Sequence, residues 1–287
     1  MAPGYSTFEG HRLAYETYGR GKRAVVLIHG LMMSARMQEP LALALAESGN
    51  MAITVELPGH GKSDGHRDHL YNWDIRRYAA AIDSVLDDLE VKEAVLIGTS
   101  LGANIALTLA TNNPSRVRGL VTEMPALENA MIGGPLFFTP LAALAEWAEP
   151  VAQVMSGTAR LIPEAPLPFG ANILLDLVKR DPKSTVDILK GLFYGQIAPT
   201  QEQRRLIKQP TLVIGHHYDP IHPYNDAKDL AELMPNATLI DANSIAELRL
   251  TPARITGEVI DFVEECWSPK AVGKDGASAP RKRRRAS

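Results

Sequence analysis

Five residues, Gly98-Thr99-Ser100-Leu101-Gly102, constrain this chain more than any others. They stand between a short apolar run, Ala94 to Ile97, and a segment rich in helix formers, Ala103 to Ala110. The first reads as a buried strand and the second as a helix. Flanking glycines let strand and helix approach closely, and the serine between them must occupy a sharp, strained turn. Such a turn holds the Ser100 hydroxyl out above the sheet. The backbone N–H of Leu101 faces the same space, at a helix N-terminus where negative charge is favoured. Ser100 is therefore a candidate nucleophile and Leu101 a candidate oxyanion donor. Small residues also cluster in ordinary turns; the flanking strand and helix separate the two readings.

Two further segments agree. Ala24 to Ile28 is an apolar strand ending in His29-Gly30, and Ala52 to Glu56 leads into Leu57-Pro58-Gly59-His60-Gly61-Lys62-Ser63. The order of a His-Gly loop, a Pro-Gly-His-Gly-x-Ser loop and a Gly-x-Ser-x-Gly turn resembles the α/β-hydrolase superfamily. The resemblance runs from about Tyr5 to Trp267. It implies an α/β-hydrolase fold: a mostly parallel central sheet with helices on both faces and a helical cap insertion. It also implies a second oxyanion-hole N–H at Leu31, and no cofactor or metal. His29 is expected to shape its loop.

Composition fits one such unit. The 287 residues can bury a sizeable core, and 45% hydrophobic with 22% charged content is ordinary for a globular chain. A single cysteine, Cys266, leaves no internal disulfide framework and suits a reducing compartment such as the cytoplasm. No signal peptide is visible at Met1 to Tyr5, and no apolar run reaches membrane-spanning length.

Along the chain, strands and helices alternate. A hairpin is predicted around Glu9-Gly10-His11, followed by strands at 24–28, 52–56, 94–97, 117–122, 212–214 and 238–240. Helices are predicted at 40–48, 74–89 (capped by Asn72 or Asp74), 103–110, 226–233 and 252–263. This order implies a sheet covered on both faces. Between Met124 and Gln209 the alternation stops and prolines accumulate. We divide the chain into a core at 1–124 and 210–267, a cap insertion at 125–209 and a tail at 268–287. Leu136, Phe137, Phe138, Leu141, Leu144 and Trp147 suggest an apolar underside for the cap, part of it lining a pocket for an apolar or acyl-bearing small molecule.

The resemblance places the acid of a catalytic triad in D-x-x-x-P after the 212–214 strand, which Asp219 and Pro223 match. It places the histidine after the last strand, about seven residues before a proline that starts the final helix. Counting back from Pro252 gives Ile245, and no histidine follows His222. Ser100 at its free pKa is a weak nucleophile without a base. His217 and His222 lie on the acid's own loop, and His222, three residues from Asp219, is the candidate replacement. Glu247 is a poor base unless burial raises its pKa, and it reads as an ion-pair partner of Arg249. Glu123 stands near the place where some family members carry an alternative acid. His60, His66 and His69, with Asp64 and Asp68 between them, match no strong metal signature.

Two functional classes follow. One is an enzyme acting on an ester or related acyl compound through Ser100, with Asp219 as acid, Leu31 and Leu101 as oxyanion donors, and a non-standard or missing base. The other is a catalytically inactive member that binds or regulates, which Ile245 favours. If Ile245 fills the space of a missing base, Ile245→His should raise ester turnover.

The tail carries seven Lys/Arg and one Asp, a charge of +6, leaving −9 for the rest of a chain whose net charge is −3. It is rich in Ala, Gly, Ser and Pro and lacks aromatic residues among its charges, so it is read as a disordered, solvated segment. No nucleic-acid partner is expected for the core. A chain ending at Trp267 should then unfold at the temperature of the full chain. A loss of several degrees would show that the tail packs on the acidic body.

Overall fold

The computed structural model describes residues 1–65, 73–131, 139–140, 143, 146–162, 169–219, 221–244 and 247–268. His66, Asp68, His69, Asn72, Leu136, Phe137, Phe138, Leu141, Leu144, Ile245 and the tail beyond 268 lie outside the described residues.

Among the described residues the predicted alternation appears as eight strands: β1 Ala2–Phe8, β2 His11–Tyr18, β3 Ala24–Ile28, β4 Met51–Val55, β5 Ala94–Thr99, β6 Val117–Glu123, β7 Thr211–His216 and β8 Ala237–Ala242. They form one sheet in the order β1-β2-β4-β3-β5-β6-β7-β8. The β1–β2 and β2–β4 pairs are antiparallel, and every other pair is parallel. The hairpin closes with Phe8 opposite His11, and both loop residues, Glu9 and Gly10, take positive φ. A two-residue turn of that kind matches the twist of its strands.

The central strands show why the sheet is covered twice. All five residues of β3 are buried. Ala24, Val26 and Ile28 join one apolar cluster, while Val25 and Leu27 join the other. Strand β5 divides in the same way, Ala94 and Leu96 against Val95 and Ile97. Burial of each Val, Leu or Ile side chain contributes roughly 1.5–3 kcal/mol, so a strand apolar on both faces belongs inside.

Helices α2 (Ile75–Asp88) and α3 (Leu101–Asn112) cover the first face, and α1 (Glu39–Glu47) contributes Leu41, Ala42 and Leu45 to the second. Asp74 caps α2, its carboxylate accepting the N–H groups of Arg76 and Arg77. Among the described residues no helix is long and apolar enough to cross a membrane.

Between β6 and β7 lie helices α4 (Glu149–Arg160), α5 (Phe169–Lys179), α6 (Pro182–Tyr194) and α7 (Gln201–Arg205). Helix α4 packs on both α5 and α6. Ile188 and Leu192 of α6, with Ile207, join the core cluster of the first face. The expectation that Trp147 faces inward is corrected here. Its side chain is 87% exposed, as are, to lesser degrees, Val151, Val154 and Met155. Spacings of three and four place Val151, Val154 and Met155 on one outer face of α4, with Trp147 just ahead of that helix, while the residues α4 buries, Ser156 and Ala159, are small. Close approach to neighbouring helices is met by small residues, so the large ones turn outward.

After β7 come α8 (Tyr224–Leu233), then β8, the short α9 (Glu247–Leu250) and α10 (Ala253–Trp267), which packs on the second face. Buried Asp226, at the start of α8, accepts the N–H groups of Leu127, Asn129 and Ala130 at 2.8–2.9 Å and the Asn129 amide at 2.9 Å. One carboxylate thus fixes the chain as it leaves β6. Asp226→Ala leaves several buried donors unsatisfied and should lower the unfolding free energy by about 3 kcal/mol in urea titration. A loss below about 1 kcal/mol would mean that this exit is held by packing instead.

Candidate active site

Ser100 occupies the turn between β5 and α3, with φ 54° and ψ −114°. A non-glycine residue at positive φ is strained, and here the surroundings impose the strain. Any side chain on Gly98 would strike the Gly102 carbonyl, and any on Gly102 would strike the carbonyls of Ile28 and His29. The three segments can meet this closely only through glycine. The Ser100 N–H donates to the Glu123 carbonyl at 2.8 Å, and its own carbonyl accepts from Ala103 and Asn104.

The His-Gly loop lies against the turn. A Cβ placed on Gly30 would stand 3.4 Å from the Ser100 Cβ and 3.6 Å from the Met33 sulfur. Buried His29 has both ring nitrogens engaged with backbone: Nδ1 lies 2.8 Å from the Gly30 carbonyl and Nε2 accepts the Leu57 N–H at 3.1 Å. It holds the loop that carries Leu31, as the sequence suggested. His60 is also buried, with Nδ1 3.0 Å from the Pro58 carbonyl and its ring centroid 4.8 Å from that of His29. Burial, aided by the nearby Arg180 charge and by His29, pushes its pKa well below the usual histidine value.

The loop after β7 supplies the partner of Ser100. The Nε2 atom of His222 lies 2.7 Å from the Ser100 Oγ, and its Nδ1 lies 2.8 Å from the Asp219 Oδ2. The other Asp219 oxygen accepts the N–H groups of Ile221 and His222 at 2.8 and 3.0 Å. With an ionised Asp219, Nδ1 carries the proton and Nε2 is left to accept from the serine. Burial would raise the Asp219 pKa, but the His222 ring and these two N–H groups outweigh it and hold the carboxyl below its ordinary value. An aspartate three residues before a histidine can close such a contact locally because its second oxygen caps the intervening turn. His217 is exposed and stacks on Tyr224, with ring centroids 3.9 Å apart, away from this chain of contacts.

Beneath the turn lies a buried polar cluster that the sequence did not reveal. Glu123, fully buried at the end of β6, accepts from the Thr99 hydroxyl at 2.7 Å and pairs with Arg249. The Thr99 hydroxyl also accepts from Gln38 and from Arg249, each at 3.0 Å, and His216 Nε2 lies 3.7 Å from Glu123. The expected Glu247–Arg249 pair is therefore corrected. Glu247 takes both ends of the Arg254 guanidinium at 2.9 Å instead. Both partners lie at the start of the final helical segment, while Arg249 points below the turn and pairs with the buried Glu123 carboxylate. Its place between Leu248 and Leu250 was the available signal, since an arginine inside an apolar run needs a partner when buried.

A cavity of about 560 Å³ opens between the loops after β3 and β4 and the α5–α6 junction, lined by residues including Met33, Ser34, Glu56, Gly65 and Arg180. Ser100 and His222 are not among its lining residues, so the expected pocket facing Ser100 is not this cavity. Among the described residues no group of three or more His, Cys, Asp or Glu side chains is arranged to hold a metal ion.

Glu123 yields a prediction about acid stability. Burial alone would raise its pKa, but the Arg249 charge and the hydrogen bonds from Arg249 and Thr99 bring it down to about 2. The stability contributed by its ionised form is complete above the ordinary value of 4.5 and is lost as pH falls towards about 2. Asp219 acts in the same direction. The urea midpoint should therefore fall over this acid range, and less steeply in Glu123→Gln than in the unchanged protein. Parallel curves for the two would show that Glu123 does not titrate there.

Comparison with known proteins agrees with the fold. A family model described as alpha/beta hydrolase fold matches residues 23–191, more than half of the chain. The pimeloyl-[acyl-carrier protein] methyl ester esterase of Proteus mirabilis is 30% identical over 112 residues, covering 39% of this chain and 40% of that protein. A 2-hydroxy-6-oxononadienedioate/2-hydroxy-6-oxononatrienedioate hydrolase of Paraburkholderia phymatum is 34% identical over 138 residues, covering 45% of this chain and 44% of that protein. The chain thus aligns with less than half the length of these curated relatives. Among solved structures, the enol-lactonase of Burkholderia xenovorans superposes with a TM-score of 0.74 at 19% identity, covering 91% of this chain and all of that one. The esterase of Exiguobacterium antarcticum superposes with a TM-score of 0.72 at 19% identity, covering 91% of this chain and 98% of that one. Sheet order, the turn at Ser100 and the matched family model together make this chain a member of the alpha/beta hydrolase fold family.

Proposed function

We propose that this protein is a serine hydrolase of carboxylic esters, with Ser100 as nucleophile, His222 as general base and Asp219 as the acid that orients it. The observation that carries the reading is the 2.7 Å contact between the Ser100 Oγ and the His222 Nε2. A base within hydrogen-bond reach of the serine proton is what nucleophilic catalysis requires. The curated relatives named as an esterase and a hydrolase support the reaction class.

The steps follow from the geometry. His222 Nε2 takes the Ser100 proton as Oγ attacks the ester carbonyl carbon. Negative charge develops on the carbonyl oxygen, where the N–H groups of Leu31 and Leu101 are the donors. The acyl–oxygen bond breaks, and the proton on Nε2 passes to the departing alkoxide. Water, deprotonated by the same nitrogen, then attacks the acyl-serine. Its proton returns to Ser100 as the free acid leaves. Asp219 holds Nδ1–H throughout and stabilises the imidazolium formed in each half. The substrate class is a small ester with an apolar or acyl-bearing part, in line with the printed name of the pimeloyl-[acyl-carrier protein] methyl ester esterase. The cap between residues 125 and 209 would cover it.

Lack of a base was the argument for a non-catalytic member. With His222 in contact with Ser100, that argument no longer favours it, and the retained serine, acid and His-Gly loop all favour turnover.

Hydrolysis of a nitrophenyl acyl ester tests the reading. Ser100→Ala should abolish turnover. His222→Ala should lower kcat by roughly 10²–10⁴-fold, and Asp219→Asn by a factor of up to about 10⁴. Ile245→His in the otherwise unchanged protein should bring no gain. Activity that survives His222→Ala, or a gain from Ile245→His, would move the base away from the acid loop. No turnover by the unchanged protein across short and medium acyl chains would restore the binding-protein reading.

A further inference from the structure

Arg249 stands in the loop after β8, the region where the family pattern leads one to look for a histidine, and it does not touch Ser100. Its guanidinium is only 8% exposed. One arm, Nη1, is paired with Glu123, and Nη2 donates to the Thr99 hydroxyl at 3.0 Å. Glu123 grips the two residues of the turn separately. Its carbonyl accepts the Ser100 N–H at 2.8 Å, and its carboxylate accepts the Thr99 hydroxyl at 2.7 Å. We propose that Arg249 is a positioning residue: its fork ties the Glu123 carboxylate to the Thr99 hydroxyl and so fixes the strained turn that presents Ser100 to His222.

Three arguments carry this. First, a positive φ with ψ at −114° is a strained conformation for a non-glycine residue, and such strain persists only where the surroundings over-determine it. The glycine contacts restrain the backbone, but the hydroxyl of Thr99, next to Ser100, is restrained by three polar groups at once: Gln38, Glu123 and Arg249. Second, stability alone is a poor reason for the pair. A buried ion pair is commonly matched or bettered by apolar residues of the same volume, whereas a planar fork fixes direction, which apolar packing does not. Third, the fork rests on a fixed base. The short helix α9 that carries Arg249 is held by Glu247, which accepts from the Asn243 N–H and pairs with Arg254 on α10. A line of directional contacts therefore runs from the last helix to the turn. The loop that holds a histidine in the family pattern acts here as a strut.

The inference rests on the proposed esterase reading, and the test separates the two. Arg249→Lys keeps a charge for Glu123 but loses the second arm. The double variant Glu123→Gln, Arg249→Met removes both charges in near-isosteric form. Both are compared with the unchanged protein in kcat and KM for a nitrophenyl acyl ester, in urea midpoint, and in amide hydrogen exchange of the 96–103 segment. A small misplacement of a reacting group can cost up to about 10²-fold. We expect Arg249→Lys to lose roughly 10- to 100-fold in kcat with KM little changed. The double variant should keep a near-normal urea midpoint, stay slow, and exchange faster at 96–103. Recovery of kcat along with stability in the double variant, or full kcat in Arg249→Lys, overturns the proposal and leaves the pair a stabilising contact. If the unchanged protein hydrolyses no ester, the esterase reading fails. The exchange measurement still decides this one, because unchanged exchange at 96–103 in both variants would overturn it.

Discussion

Three backbone segments, β5, the start of α3 and the loop after β3, meet at Gly98 and Gly102 more closely than any side chain would permit. The site follows from that approach. Ser100 there takes a positive φ, and the loop at Gly30 lies close beside it, within van der Waals reach of a side chain on that glycine. The chain meets the cost with polar groups that point at the turn from three other elements: Glu123 at the end of β6, Gln38 before α1, and Arg249 beyond β8. Sheet order makes this possible. Strands β3, β5, β6 and β7 are neighbours, so their C-terminal ends form one rim where serine, acid and buried cluster lie together.

On the proposed reading, the chemistry is redistributed along that rim. In the pattern this chain resembles, the histidine comes from the loop after the last strand. Here Asp219 and His222 share the loop after β7, and the last loop contributes Arg249 and Glu247 to a buried framework. The contact between Ser100 and His222 therefore depends on how β5 and β7 are held relative to each other. Strand β6 lies between them, and buried Asp226 fixes the chain where it leaves β6.

Much of this was legible in the residues. Strands apolar on both faces, such as Ala24–Ile28, could only be interior, and the cap at Asp74 announced α2. The glycines around Ser100 and the Asp219–Pro223 spacing named the loops that matter. Local patterns of this kind report on neighbours in sequence. Long-range pairing is a different matter, because which acid an arginine meets depends on where the sheet carries it. Nearness in sequence pairs Arg249 with Glu247, yet the fold delivers it to Glu123, more than a hundred residues away in the chain. Size and polarity alone point Trp147 inward, yet it is exposed just ahead of α4, a helix that turns small residues inward, where close packing needs them. His222 could be named as a candidate from its distance to Asp219, but only the fold shows that the same ring nitrogen lies beside Ser100.

The three-residue spacing between Asp219 and His222 has a consequence for how this chain folds. Bringing two groups together costs chain entropy that grows with the loop between them, by about 0.6 kcal/mol for each doubling. Asp219 and His222 are separated by a single turn, and that turn is capped by the aspartate's own hydrogen bonds. The pair can therefore assemble as a local motif before distant strands have found their register. What remains for the global fold to achieve is one meeting, that of a ready-made Asp219–His222 pair with the serine turn, where the family pattern requires three separate stretches of chain to converge.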